Sequence, residues 1–260
     1  MKIQQIRNAM VKITYGSKTF LIDPWLSDKG ALGTFADKPF RCVSPEKENI
    51  PMPMCDLPMP RDEILKGVDA YVVTHIHPDH IDMSPDGIGA SLNKEVPVFV
   101  QNPEDAGVLI QNGFEDITVL YENSTFGNVS LIKTPGRHGT KIPMCPTCGV
   151  IFKAEGEKTL YVAGDTIWYD GIKSTLEGFR PDVIILNACA AEFYTYGRLI
   201  MDDTDVKKVH ACLPNATVIV SHMDNVAHAS ITRNDMKILL KEMFQDKTAV
   251  MPDDGETLIF

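Results

Sequence analysis

The most constraining feature of this sequence is the segment at residues 70–80, AYVVTHIHPDH, which contains three of the chain's seven histidines. Its first four residues form a short apolar run rich in β-branched and aromatic side chains, which predicts a buried strand. The possible metal ligands that follow are His75, His77, Asp79 and His80. In an extended chain His75 and His77 point to the same side, while Pro78 turns the backbone. Imidazole and carboxylate groups bind zinc, manganese, iron or nickel, so the segment predicts a metal site at a strand end.

The overall charge narrows the choice of partners. The chain carries 25 Lys and Arg against 35 Asp and Glu, a formal net charge of −10, and shows no block rich in Lys or Arg. Nucleic-acid-binding proteins usually carry a basic patch, so no nucleic-acid partner is expected. A small anionic substrate remains compatible with this charge because bound divalent ions reverse the local field.

The remaining composition is that of a globular protein. With 260 residues, of which 44% are hydrophobic, the chain can bury a large core. Its first residues do not resemble a secretory signal, and no apolar run approaches the ~18 residues of a membrane span. Four of the six cysteines have no close partner in sequence, which suits reduced thiols. We therefore expect a cytoplasmic protein with no membrane contact and a single domain over residues 1–260.

The order of the predicted elements indicates an α/β (α+β) protein. Strands are predicted in the first 23 residues, at 70–73, and in several later apolar runs, with helices between them. Other predicted elements are helices at 61–69, 203–212 and 232–245, a broken helix at 83–94, and a closing hairpin through Asp254 and Gly255. Strands at both ends with strand–helix units between them favour two sheets with helices packed outside.

The segment at about 27–60 differs from the rest. It contains six of the chain's 17 prolines and has no hydrophobic period. A structureless segment of this length inside a compact domain is usually functional or disordered. Its apolar residues favour packing against the body of the protein, so we interpret it as a lid or a wall of the substrate site.

Possible ligands recur where later strands are predicted to end. Collected along the chain, the set is His75, His77, Asp79, His80, His138, Asp165 and His222. Seven ligands exceed the needs of one tetrahedral ion and match those of two, and a single carboxylate such as Asp165 can bridge two ions ~3.5–4 Å apart.

These motifs resemble those of the metallo-β-lactamase superfamily. THIHPDH matches its HxHxDH signature, and RHG, AGD and SH follow in the same order after an early LIDP. The segments GTFADKPF through DLPMP, VFVQNPEDA and SHMDNVAHASITR are similar to the branch that contains L-ascorbate-6-phosphate lactonase and uncharacterised metal-dependent hydrolases. The resemblance implies a four-layer αββα sandwich, and related proteins suggest a homo-oligomer.

The resemblance also implies roles for individual residues. One ion would be held by His75, His77 and His138, and the other by Asp79, His80 and His222, with Asp165 between them. Asp23 would hydrogen-bond to a ligand histidine and fix its ring. Two divalent ions, with zinc and manganese as first choices, would lower the pKa of a shared water toward neutrality.

The predicted reaction is attack of metal-bound hydroxide on a small, anionic ester, lactone or phosphoester. Asp79 could take up a proton during breakdown of the intermediate, and His228 could act on the substrate or leaving group. Candidates for holding an anionic group are Arg137, Lys141 and Arg198. Three alternatives remain open: a phosphodiesterase or nuclease of the same fold, a di-iron redox member, and a non-catalytic binding member. Redox members of the superfamily usually have a Glu at the position of His77. The histidine found here therefore favours hydrolysis.

The pair Cys145 and Cys148 forms a single CxxC motif between the third and fourth motifs. A zinc knuckle usually needs a second pair, which Cys42 and Cys55 could supply if the proline-rich segment folds over. A redox pair and a plain loop are the other interpretations.

Overall fold

The computed structural model describes residues 1–36, 38–244 and 248–260. Its strands are β1 (Lys2–Arg7), β2 (Met10–Tyr15), β3 (Lys18–Ile22), β4 (Ala70–Val73), β5 (Met83–Ser84), β6 (Gly87–Ile88), β7 (Val98–Val100), β8 (Ile117–Val119), β9 (Ser124–Phe126), β10 (Val129–Pro135), β11 (Cys148–Lys153), β12 (Leu160–Val162), β13 (Val183–Asn187), β14 (Glu192–Phe193), β15 (Gly197–Arg198), β16 (Thr217–Ser221), β17 (Ala249–Val250) and β18 (Thr257–Ile259). Its helices are a 3-10 helix (Pro45–Asn49), α1 (Arg61–Leu65), α2 (Pro103–Gln111), α3 (Asp170–Phe179), α4 (Asp203–Cys212) and α5 (Arg233–Met243). Across the described ranges, every helix is too short or too polar to cross a membrane.

Two seven-stranded sheets organise the chain. The first has the order β18-β1-β2-β3-β4-β7-β8, and the second has the order β17-β16-β13-β12-β11-β10-β9. In the first sheet β3, β4, β7 and β8 run parallel to one another. In the second, β12, β13, β16 and β17 do the same. Because parallel strands end at the same edge of a sheet, the residues that follow β3 and β4 lie together, as do those that follow β12 and β16.

The packing of the hydrophobic residues arranges the fold in four layers. Buried residues of both sheets, such as Phe20 and Val72 from the first and Phe152 and Ile185 from the second, form one cluster between them. The outer face of the first sheet packs against α1 and α2, and the outer face of the second packs against α3, α4 and α5. The predicted αββα sandwich is confirmed.

Most predicted elements are present, including the first three strands, the strand at 70–73 and the helix at 203–212. The helix predicted at 232–245 is α5, and residue 245 lies outside the described residues, as does residue 37 of the proline-rich segment. The broken helix predicted at 83–94 is wrong, because Pro85 and the following Asp-Gly turn the chain into the short hairpin β5–β6.

The closing hairpin is also wrong. Gly255 has φ 88° and does make a turn, but the strands on either side join different sheets. β17 pairs in parallel with β16, and β18 pairs with β1 in the other sheet. Residues 246 and 247, at the start of that predicted segment, lie outside the described residues. Helix α3 was not predicted because its sequence, DGIKSTLEGF, contains two glycines and a β-branched threonine.

Candidate metal centre

The predicted ligands meet at one edge of the sandwich, where strands from both sheets end. His75, His77, Asp79 and His80 follow β4, and Asp23 follows the neighbouring β3. From the second sheet, His138 follows β10, Asp165 follows β12 and His222 follows β16. The side chains of His75, His80, His138, Asp165 and His222 are almost fully buried.

The first group contains three histidines. The ring nitrogens His75 Nε2 and His77 Nδ1 lie 2.9 Å apart. His75, His77, His138 and Cys145 each place one possible ligand atom within 4.8 Å of the other three. The aromatic rings pack closely, with 5.2 Å between the centroids of His77 and His138. Nitrogen atoms at this spacing can share one ion.

The second group contains Asp79, His80 and His222, whose ligand atoms also lie within 4.8 Å of one another. His222 Nε2 lies 3.3 Å from Asp79 Oδ2 and 3.3 Å from His80 Nε2. Asp165 stands between the groups, since its Oδ2 is 3.2 Å from His80 Nε2 and 3.7 Å from His138 Nε2. The position of Asp165 therefore suits a carboxylate that contacts both groups.

Hydrogen bonds on the outer side fix which ring nitrogen faces inward. Asp23 Oδ2 accepts from His80 Nδ1 at 2.8 Å, and Leu199 O accepts from His138 Nδ1 at 3.1 Å. Thr74 Oγ1 donates to Asp23 at 2.8 Å and so accepts from His75 Nδ1 at 3.2 Å. Because these acceptors require a proton on Nδ1, Nε2 is the atom of each ring that can bind a metal, which in His80 would take the place of a second proton. These three rings fit a divalent metal.

The two ligand groups together, called the cluster below, also have the electrostatic environment of a cation site. Burial alone would lower the pKa of His80, but Asp165, Asp23 and Asp79 outweigh it and raise this pKa to about 10. The pKa of His222 is likewise raised despite burial, chiefly by Asp165. In contrast, burial lowers the pKa of His75, of His138 and, to about 4, of His77. These three carboxylates favour positive charge at this site, and a bound cation would satisfy the same need.

Unusual backbone conformations aim two of these side chains. Asp23 and His222 have φ values of 46° and 71°, in the left-handed region that non-glycine residues seldom occupy. The backbone N–H of His222 donates to Asn8 O at 3.0 Å, and Asn8 itself has φ 54°. Such strain persists only where surrounding contacts enforce it, and it gathers at functional sites.

Three polar residues around the cluster were not assigned from the sequence. Asn187 Nδ2 donates to Asp165 Oδ1 at 2.8 Å. Asn8 Nδ2 donates to the backbone oxygen of Asp79 at 3.1 Å and lies 3.2 Å from His222 Nε2. Cys189 Sγ lies 3.6 Å from His222 Nδ1. Of these three residues, only Asn187 could have been recognised from the sequence as a neighbour of the ligands, because it ends an apolar strand.

A cavity of about 130 Å³ opens onto the cluster. The cluster residues that line it are His77, Asp79, His138, Asp165 and His222. Apart from Pro78 and His228, the other lining residues are apolar: Leu32, Phe35, Phe40, Met52, Met144, Ala191, Phe193, Leu199 and Val226. Four of these, from Leu32 to Met52, belong to the proline-rich segment. That segment therefore forms one wall of the cavity.

His228 lies in this wall. Its ring stacks on Phe193 with 4.5 Å between centroids, and the ring of Phe35 meets it edge-on at 5.1 Å. Burial lowers the pKa of His228 to about 4, so the ring is neutral at physiological pH. Its Nδ1 is buried and lacks a hydrogen-bond partner among the described residues. A neutral imidazole with a free nitrogen can bind a substrate heteroatom.

The structure does not bring the predicted cationic residues to the cavity. Arg198 is held by Asp205 at 2.7 Å and by Asp202 at 3.1 Å. Lys141 Nζ donates to the backbone oxygen of Tyr194, and Arg137 Nη2 donates to that of Thr140. Among the residues that the structure describes, the cavity lining contains no Lys or Arg.

The four cysteines considered for a zinc knuckle are separated. Cys148 is buried in the core between the sheets, and Cys42 is buried in the core on the outer side of the second sheet. Cys55 Sγ donates to the backbone oxygen of Asp224. Of the cysteines in the described ranges, Cys145 is the one that joins a possible metal group, and its partners are histidines.

Comparison with known proteins agrees with this geometry. The family model described as "Beta-lactamase superfamily domain" matches residues 18–223. The chain belongs to the metallo-β-lactamase superfamily. Within this superfamily, the UPF0173 protein YddR of Bacillus subtilis is 38% identical over the full length of both chains.

Two solved structures of the superfamily are similar over nearly the whole chain. An isothiocyanate hydrolase from Delia radicum gut bacteria has 33% identity and a TM-score of 0.91, covering 100% of this chain and 99% of its own. A possible metal-dependent hydrolase from Veillonella parvula has 35% identity and a TM-score of 0.90, with coverage of 99% and 98%. The predicted fold is confirmed, and the chain is a metal-dependent hydrolase of that fold. The lactonase branch remains a prediction.

Proposed function

We propose that this protein hydrolyses small, uncharged, apolar electrophiles, and that isothiocyanates are the substrate class to test first. The observation that carries this proposal is the apolar lining of the cavity around the polar cluster. Apolar pockets with a few convergent polar groups bind ligands through burial, and the polar groups fix their orientation. The similarity to an isothiocyanate hydrolase supports the same class.

The size of the cavity limits the substrate. Its volume of about 130 Å³ is close to that of an engineered cavity of about 150 Å³ that binds benzene. A short alkyl group or a single aromatic ring therefore fits, with the reactive carbon beside the cluster. Phe35, Phe40 and Phe193 offer ring faces and edges to such a group.

The reaction consumes one water. Water adds to the central carbon of R–N=C=S, and cleavage of the carbon–nitrogen bond then gives R–NH₂ and carbonyl sulfide. Divalent ions held by the two ligand groups would supply Lewis acidity and an acidified water. The neutral His228 ring can hydrogen-bond to the substrate nitrogen or sulfur, and the Asp79 carboxylate can accept a proton from the attacking water.

The anionic substrate expected from the sequence is less well matched. A carboxylate or phosphate in the organic part of the substrate would lose its hydration against an apolar wall without a cationic partner there. Esters and lactones of apolar acids still fit, because they too require attack of water on an electrophilic carbon. An apolar lactone is therefore included in the test below.

The test compares matched substrates that differ in charge. Phenyl isothiocyanate and its 4-carboxy derivative would be offered to zinc-loaded protein, together with an apolar lactone and a phosphodiester, and amine or acid release would be measured. We expect kcat/KM for the uncharged isothiocyanate to exceed that for the carboxylated one by about 10-fold or more. The double substitution His75→Ala/Asp165→Ala provides the blank. Faster turnover of the carboxylated compound or of the phosphodiester would overturn the proposal.

A further inference from the structure

Cys145 lies against the three-histidine group. Its Sγ and one ring nitrogen from each of His75, His77 and His138 lie within 4.8 Å of one another. In a tetrahedral site with metal–nitrogen bonds of about 2.0 Å and metal–sulfur bonds of about 2.3 Å, neighbouring ligand atoms are separated by less than this distance. The spacing therefore allows all four atoms to bind one ion.

Hydrogen bonds to the residues on either side of Cys145 hold it in this place. On one side, the N–H of Met144 donates to His138 O at 2.7 Å and closes the loop that joins the histidine to the cysteine. On the other side, Pro146 O accepts from Gln101 Nε2 at 2.7 Å. Because these bonds hold both neighbours of Cys145, its position beside His138 is built into the fold.

Gly139 makes this loop possible. It has φ 138°, and a Cβ at this position would collide with the backbone oxygen of Ile142. The loop that follows His138 can therefore turn back sharply only with glycine there. The other half of the CxxC motif, Cys148, points into the core between the sheets and does not compete for an ion at the cluster.

We propose that Cys145 is the fourth protein ligand of the ion held by His75, His77 and His138. The thiol would release its proton to solvent when the metal binds, since thiolate is the form that coordinates. This inference rests on the metal-dependent part of the proposed function and does not depend on the substrate class.

Two consequences follow from a ligand set of three nitrogens and one sulfur. Thiolate favours zinc over manganese, because manganese prefers oxygen ligands. In addition, these four ligands alone would complete a tetrahedral shell, so Asp165 would bind the ion of the second group. The open coordination position for water would also belong to that group, around Asp79, His80 and His222.

Cobalt(II) provides a direct readout, because a thiolate bound to cobalt gives a strong near-ultraviolet charge-transfer absorption that imidazole and carboxylate ligands do not give. Chelator-treated protein would be titrated with cobalt(II), and the spectrum would be recorded for wild type, Cys145→Ser, Cys145→Ala and Cys212→Ser. Cys212 lies at the end of α4, outside the possible metal groups found in the described residues, and serves as the matched control.

We expect the charge-transfer absorption in wild type and Cys212→Ser and its loss in both Cys145 variants. Zinc affinity, measured by chelator competition, should fall by about 100-fold or more in those variants, because even the loss of an outer hydrogen-bond partner costs about 10–100-fold. Absence of the absorption in wild type, or its persistence in a Cys145 variant, would overturn the inference. Since no substrate is present, a failure of the isothiocyanate assay would leave this result unaffected.

Discussion

Substitution of Asp23 by asparagine should weaken metal binding while the fold is retained. Asp23 is 1% exposed, and its carboxylate accepts from Thr74 N, from Thr74 Oγ1 and from His80 Nδ1, each at 2.8 Å. Asparagine keeps one oxygen for the Thr74 backbone. Its amide group would face His80 Nδ1, and two donors cannot bond to each other.

The histidine can relieve this conflict only by moving its proton to Nε2, the atom that faces Asp165 at 3.2 Å. A protonated Nε2 cannot bind a metal, so one ligand of the second group is lost until the proton returns. We expect Asp23→Asn to reduce metal affinity by about 10–100-fold, which corresponds to about 1.4–2.7 kcal/mol. The cost to the metal-free fold should be about 1–3 kcal/mol, the range for one buried polar group left without its partner.

Zinc affinity by chelator competition and urea denaturation of metal-free protein would separate these two effects. Asp82→Asn is the matched control, because Asp82 is also buried, at 3% exposure, and its carboxylate accepts from Ser27 at 3.0 Å instead of from a histidine. If Asp23→Asn bound zinc as tightly as wild type, or if Asp82→Asn weakened binding equally, the tautomer argument would be wrong.

Three further predictions concern stability. Metal removal should lower the free energy of unfolding by about 2.7 kcal/mol per site when the free ion is at 100 times its Kd, and urea midpoints with and without chelator would show it. His228 takes up a proton near its ordinary pKa of 6.5 when unfolded but only near 4 when folded, so this residue alone should lower the stability of wild type by roughly 1–2 kcal/mol between neutral pH and about pH 5, apart from the contributions of the other buried histidines. His228→Phe should lack this loss in urea titrations at the two pH values, and equal acid sensitivity would contradict the assignment. Arg198→Leu should destabilise the protein by about 2–3 kcal/mol in thermal unfolding, with KM unchanged for uncharged substrates, because the buried Asp205 would keep Lys208 as its one cationic partner among the described residues, beside the Trp168 N–H. A raised KM without a loss of stability would instead support a substrate role for Arg198.

The positions of the ligands could be predicted because local pattern and topology agree. Each ligand follows an apolar run that forms a strand, and strands that run in the same direction end at the same edge of a sheet. His138 and His222 are 84 residues apart in the chain, yet the strand-end rule places both at this edge without knowledge of any side-chain contact.

The partners around the ligands could not be predicted in this way. Asn8 contacts Asp79 across 71 residues because the β1–β2 turn packs beneath the ligand loop, and no local pattern records this packing. Helix α3 has weak intrinsic propensity and forms because Ile172 and Leu176 are buried against the second sheet. Arg198 pairs with Asp202 and Asp205 across the turn between β15 and α4, and no local pattern in the sequence predicts this pairing.

The origin of the ligands in both sheets has a mechanical consequence. His75 to His80 belong to one half of the sandwich, whereas His138, Asp165 and His222 belong to the other. Any ion that binds both sets of ligands cross-links the two sheets, because neither sheet can move away from the other without breaking a coordination bond. Loss of the ion should then loosen the strand ends at this edge before the rest of the core. Faster amide hydrogen exchange at these strand ends, compared with the metal-bound protein, would show this loosening.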